Sequence, residues 1–196
     1  MKELLQFISE GSSVERYHAR PGLKPDTDGR HSHGVAMLCS VLAGAGPDGR
    51  TKASASLLMA ALTHDLAEQW ASDVSAGAKE ALGLGAALER FERRKLAEWG
   101  LDYAGALTAE EALTLRLADQ FDCLLWCVRE AALGNRNAML VWRRACARLE
   151  STTTDLQGSL DLALRAATVY EALKEAHAEA WSPAGPSFDV YAERMP

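Results

Sequence analysis

No stretch of this 196-residue sequence approaches the roughly 20 consecutive apolar residues that cross a bilayer. The opening segment, MKELLQFISEGSS, has too short an apolar run for a signal peptide and carries internal acids. Clusters of β-branched residues are scarce and alternation is slight, which argues against a sheet. An excess of basic charge is missing too. Net charge is −6, from 21 basic and 27 acidic residues, which excludes a general affinity for a nucleic-acid polymer. A small basic pocket for one phosphate group remains compatible with that balance. The four cysteines, Cys39, Cys123, Cys127 and Cys146, form no pair of zinc-type pairs. All fall in apolar stretches and read as reduced thiols in the core of a cytosolic protein. Neither a G-x-x-x-x-G-K phosphate loop nor a G-x-S-x-G elbow occurs.

Alanine and leucine dominate, at apolar spacings of three and four. The pattern predicts an all-α fold, one compact helical bundle over residues 1–196. Helices are expected over 2–10, from near Arg30 to about Leu42, from about Thr51 through His64 and Glu68, and over 86–99. Thr108 with Glu111 three residues on is a capping box, opening a helix to about Leu133 that Gly134 ends. Two more helices are expected over 136–149 and 155–180. Residues 18–29 read as loop, and 182–196 as an extended tail packed through Phe188 and Tyr191. His18 and His177 are expected at the surface. The basic runs at 93–95 and 142–144 read as solvated faces.

The densest chemistry lies in LTHDLAEQWASD, residues 62–73. His64 and Asp65 are adjacent, and adjacent helical residues point about 100° apart. At a helix end both can still reach one metal ion; otherwise this is a core histidine beside a surface acid. His31 lies on an apolar stripe with Val35 and Leu38, where a lone histidine is commonly structural. Asp119 shares a helical face with Leu115 and Trp126, and a carboxylate there wants a cation unless the face is wet. Glu68 sits one turn beyond His64. It could reach a water at such a site, or simply pair with an arginine. Arg16-Tyr17, taken alone, reads as an amphipathic pair closing the first helix. The set lacks soft ligands, which suits a borderline or hard divalent ion.

In order, T-x-x-x-H-S-x-G-V-A (27–36), HDLAEQ, SD and LADQFD resemble the HD-domain phosphohydrolases. The likeness covers about residues 14–130, leaving C-terminal helices and tail over 136–196. It is greatest to the compact YfbR-type 5′-deoxynucleotidases and the viral DatZ-type dATP triphosphohydrolases. That resemblance implies a metal site on His31, His64, Asp65 and Asp119, holding cobalt, manganese or zinc, with additional magnesium accompanying a triphosphate. It implies a catalytic role for Glu68, phosphate contacts for Arg16 and Lys79, a sugar 3′-hydroxyl contact for Asp73, and packing of Tyr17 near the sugar. The implied activity is hydrolysis of 2′-deoxynucleoside 5′-phosphates. A dNTP, dATP foremost, would yield deoxynucleoside and triphosphate; the alternatives are cleavage of a dNMP, or nucleotide binding without turnover. Arg16, Arg20, Lys24, Arg30 and Lys79 are the cations expected to meet the extra phosphates. A homo-oligomer in the cytoplasm, the host's if the protein is viral, completes the implied picture. The sequence departs from the family at Arg30, commonly glutamate; at His33, commonly apolar or aromatic; and in VSAGAK (74–79), which has no proline. Asp122 lies outside the motif, as a candidate to support a ligand from behind.

Overall fold

A computed structural model describes residues 1–17 and 22–181 of the chain. The described residues are helical and contain no strand. In chain order they form α1 (Lys2–Ser12), α2 (Asp28–Ala43), α3 (Ala55–Thr63), the single turn α4 (Glu68–Ala71), α5 (Ala76–Ala81), α6 (Gly85–Glu98), α7 (Ala109–Ala132), α8 (Ala138–Thr153) and α9 (Leu160–Trp181). None of these helices is long and apolar enough to cross a membrane.

The organising element is α7, whose 24 residues span about 36 Å at ~1.5 Å per residue. It packs against α8, α2, α9 and α3. Its start is the expected capping box: Thr108 Oγ1 accepts from Glu111 N at 3.2 Å, and Glu111 Oε2 accepts from Thr108 N at 2.9 Å. The same glutamate accepts from Ser54 Oγ at 2.5 Å, and Ser54 caps α3. One carboxylate therefore aligns the starts of two core helices. Val35, Cys39 and Leu42 of α2, Leu57 of α3, Leu117, Phe121 and Leu124 of α7, Leu149 of α8 and Leu162 of α9 form the buried centre. Each such large side chain contributes roughly 1.5–3 kcal/mol on burial. A smaller cluster joins Phe7 to Leu66 and Leu96, with Phe7 stacked between Trp70 and Trp99 at 5.1 and 5.9 Å.

Several local expectations need correction. The helix containing His64 begins at Ala55, where Ser54 Oγ accepts from Leu57 N, and ends at Thr63. Beyond it, Leu66 N donates to Thr63 O and Glu68 N to Asp65 O, tighter three-residue bonds that break the α pattern. The helix of His31 starts two residues early, at Asp28, because Thr27 Oγ1 caps it. The last two helices begin later than expected, at Ala138 and Leu160. His177 is not at the surface. Its ring stacks on Trp142 with centroids 3.7 Å apart, and burial pushes its pKa down. The 142–144 run is not wholly a solvated face, since Trp142 belongs to the core. His18, Arg20, Phe188 and Tyr191 lie outside the described residues.

Candidate functional site

Donor atoms of His31, His64 and Asp65 lie within 4.8 Å of one another where α2 and the end of α3 meet, and Asp119 of α7 reaches His31. His31 Nε2 lies 3.3 Å from His64 Nε2, 3.4 Å from Asp65 Oδ2 and 3.2 Å from Asp119 Oδ1. His64 Nε2 is also 3.3 Å from Asp65 Oδ2. The break after Thr63 is what lets adjacent residues share a focus. A divalent ion with bonds of about 2.0–2.2 Å in tetrahedral or octahedral geometry sets neighbouring donors about 3.0–3.5 Å apart. The observed separations have that size.

Hydrogen bonding shows which atom each imidazole offers. His31 Nδ1 lies 2.8 Å from Asp122 Oδ2, and His64 Nδ1 2.9 Å from the Ala61 carbonyl. Both partners only accept, so each Nδ1 carries a hydrogen and Nε2 is the atom each imidazole turns toward the focus. Two imidazoles and two carboxylates gathered so closely call for positive charge between them, a proton or a metal ion. With no cation at that point, a proton on His31 takes its place. Burial would lower the pKa of His31, but hydrogen bonds to Asp119, Asp122 and Asp65 outweigh it and push it up to about 12. Burial likewise works against ionised Asp65 and Asp119, yet the surrounding imidazoles, and Arg16 in the case of Asp65, hold both below the usual carboxylate range. The mixed nitrogen–oxygen donor set fits a transition ion.

Asp122, an outlier in the sequence pattern, is thus the buried orienting partner of His31. Its room comes from Gly34, one of the motif glycines. A β-carbon at Gly34 would overlap Asp122 Oδ1. Gly34→Ala is therefore expected to drive the carboxylate off His31. Metal affinity should fall about 10–100-fold, the usual cost of losing an outer partner, with helical content unchanged. A chelator-competition titration checks this; an unchanged affinity would relieve Asp122 of the role.

A second shell of charge surrounds the donors. Backbone bonds from Arg16 N to Asp26 O and from Asp28 N to Val14 O lay the 14–17 segment along the start of α2. This places Arg16 Nη1 3.1 Å from Asp28 Oδ1 and 2.7 Å from Asp65 Oδ2. Burial opposes the guanidinium's charge, but Asp65 and the neighbouring acids hold it firmly protonated. Burial and Asp65 push Asp28 up to about 7 against the pull of Arg16. Glu68 is buried beside Asp65, Asp28 and Asp73, and burial first, then those charges, push it up to about 9. Lys79 Nζ, 3.6 Å from Glu68 Oε1, acts in the opposite sense. Asp73 Oδ2 accepts from Tyr17 N at 3.1 Å. Tyr17 and Ser72 both have positive φ, 57° and 60°, an uncommon geometry without glycine, and they flank that bond. The Tyr17 ring stacks on Trp126 with centroids 4.0 Å apart.

Above the donors opens a cavity of about 250 Å³. Asp65 and Asp119 reach it, and Arg16, Tyr17, Glu68, Asp73 and Lys79 line it. His31 and His64 touch these acids without lining the cavity themselves. The expected substrate contacts Arg16, Tyr17, Asp73 and Lys79 and the expected base Glu68 thus share one cavity with Asp65 and Asp119. Arg30 and His33 do not: both are exposed, and Arg30 Nε turns 3.7 Å from Asp26 instead. Lys24 does not line the cavity either; its backbone is tied to Glu130. The far wall belongs to α8, through Val141, Arg144, Ala145 and Arg148; the sequence reading took Arg144 for part of a solvated face and assigned the other three no role. Their 0, 3, 4, 7 spacing marked one helical face, but nothing local says what that face meets. Cys123, expected as an inert core thiol, also borders the cavity.

Solved structures share this arrangement of helices. The HD phosphohydrolase DatZ of cyanophage S-2L, bound to dA and one catalytic Zn2+ ion, matches with a TM-score of 0.66 and 18% identity, over 87% of this chain and 96% of that one. The PH0347 protein of Pyrococcus horikoshii OT3 matches at 0.68 and 21%, over 90% and 99%. An HD-domain phosphohydrolase of Listeria innocua, lin2634, matches at 0.59 and 17%, over 91% and 97%. The fold of this chain is accordingly the HD-domain helical fold. No protein-family model matches the sequence, and no curated protein does.

Proposed function

We propose that this protein is a metal-dependent phosphohydrolase of 2′-deoxynucleoside 5′-phosphates. Its best substrate in this reading is a dNTP, with dATP foremost, cleaved to deoxynucleoside and triphosphate. The observation that carries the reading is the meeting of the His31 and His64 Nε2 atoms with carboxylate oxygens of Asp65 and Asp119, two acids that also line a cavity. The DatZ structure, which holds dA and zinc, supports it by likeness of fold.

His31, His64, Asp65 and Asp119 would hold the ion. When bound, such an ion lowers the pKa of water and offsets charge on a phosphoryl oxygen. The remaining work falls to the chain. Asp122 and the Ala61 carbonyl keep both imidazoles in the binding tautomer. Arg16 commits Nη1 to Asp28 and Asp65, steadying a ligand, and faces the cavity for a phosphate oxygen. Glu68, once ionised, takes a proton from the attacking water. The water oxygen bonds to the α-phosphorus, the P–O5′ bond breaks, and O5′ takes a proton from solvent as it leaves. Lys79 keeps Glu68 ionisable and adds a cation beside the phosphates. Asp73 is held by Tyr17 N, with Oδ1 left for the sugar 3′-hydroxyl, and the Tyr17 ring bounds the sugar.

Purified protein loaded with manganese, cobalt or zinc should turn over deoxynucleotides in a screen of all common nucleotides with products separated. Deoxyadenosine and triphosphate from dATP are the expected products. Release of phosphate from dNMPs alone would assign the 5′-deoxynucleotidase reaction. Bound metal with no turnover of any nucleotide would overturn the enzyme reading.

A further inference from the structure

We infer that Arg144 and Arg148 of α8 form a clamp for the phosphates beyond the scissile one, so that this wall selects a triphosphate over a monophosphate. The inference rests on the proposed nucleotide activity and names the substrate class for the same cavity. Its starting point is the cavity's charge. Four carboxylates, those of Asp65, Glu68, Asp73 and Asp119, line it. A polyphosphate entering there meets like charge, and the repulsion grows with each added phosphate. Arg16 already bonds two carboxylates, and Lys79 already faces Glu68. Arg144 and Arg148, which share the cavity, pair with no carboxylate among the described residues. They are the cations with their full donor capacity unspent.

Their placement suits that task. Residues four apart on a helix present neighbouring side chains, with Cβ atoms about 5–6 Å apart. Two guanidinium forks at that spacing can bond successive phosphoryl groups, each through paired N–H donors. The wall that carries them is rigid. Trp142 is locked in the core against His177, and Thr152 near the end of α8 accepts from Gln120 Nε2 at 2.8 Å. Between the arginines, Ala145 is buried and leaves the surface low, so both stems can lean over the cavity.

The test uses the full chain with both arginines changed, Arg144→Gln with Arg148→Gln, and a second variant with both changed to lysine. Both positions are exposed helix sites, so folding is expected to survive, checked by circular dichroism. For dATP, KM should rise about tenfold or more in the glutamine variant, the scale of a lost charge-assisted contact. Its kcat should hold within about threefold, KM for dAMP should be unmoved, and lysine should restore part of the loss. Calorimetric titration with inorganic tripolyphosphate in magnesium buffer should show binding to the wild type that the glutamine variant loses. Turnover of dATP with KM unmoved in the variant overturns the clamp and leaves the activity standing. An equal rise of KM for dATP and dAMP also overturns it, placing the arginines against the nucleoside. Tripolyphosphate binding lost in the variant, with no turnover in the wild type, overturns the activity and supports the clamp.

Discussion

Replacing His64 by alanine is expected to take bound divalent metal from about one ion per chain to well below that, and to abolish hydrolysis with it. The loss should exceed the roughly 10–100-fold cost of removing an outer partner such as Asp122, because a donor itself is gone. The fold should persist. His64 lies at the end of α3, half-buried at the cavity's edge rather than in the hydrophobic centre, and its one backbone contact is to Ala61 O. Removing it leaves His31 Nε2 with only carboxylates, an arrangement that favours a proton over a transition ion. Elemental analysis beside circular dichroism reads the result. Full metal occupancy in a folded His64→Ala protein would move the ion elsewhere and dismantle the assignment.

Glu68→Ala should behave differently: metal retained, rate reduced by about 10²–10⁴, the range typical of a lost general base. Glu68 gathers with Asp28 and Asp65 within 4.8 Å rather than with the imidazoles, so an ion held on the imidazoles separates the two losses. The acidity of Glu68 also sets a direction for the pH profile. Burial and the charges of Asp65, Asp28 and Asp73 raise its pKa from 4.5, so the rate should climb with pH above the ordinary carboxylate range. Lys79 holds that pKa down, so Lys79→Ala should move the rising limb to higher pH. A limb that stays in place after that substitution would belong to another group, and metal loss in Glu68→Ala would recast the residue as a ligand.

Much of this was legible along the chain because it is local. The capping box at Thr108, the stop at Gly134 and the apolar stripe of α2 depend on residues within one or two turns. The all-helical class followed from the same short-range periods. Where the readings failed, distant residues had intervened. His177 looked solvent-bound until Trp142, 35 positions away, covered it. The helix through His64 looked continuous, because the bonds that tighten residues 63–68 carry no composition signal. Asp122 could be named only as a candidate support, and its partner became definite once Gly34, on another helix, was seen to open the space beside His31.

Periodicity and residue type, taken alone, determined that the chain is a helical bundle and which imidazoles and acids it has to offer. Only the packed fold decided that they meet. Donor atoms 3.2–3.4 Å apart come from three segments separated by dozens of residues, and no local preference specifies such a distance. It arises because α7 serves as a common spine for α2 and α3, so that burying their apolar faces aligns their polar ends. The same packing turned α8 toward the cavity and left Arg144 and Arg148 there with no carboxylate partner among the described residues.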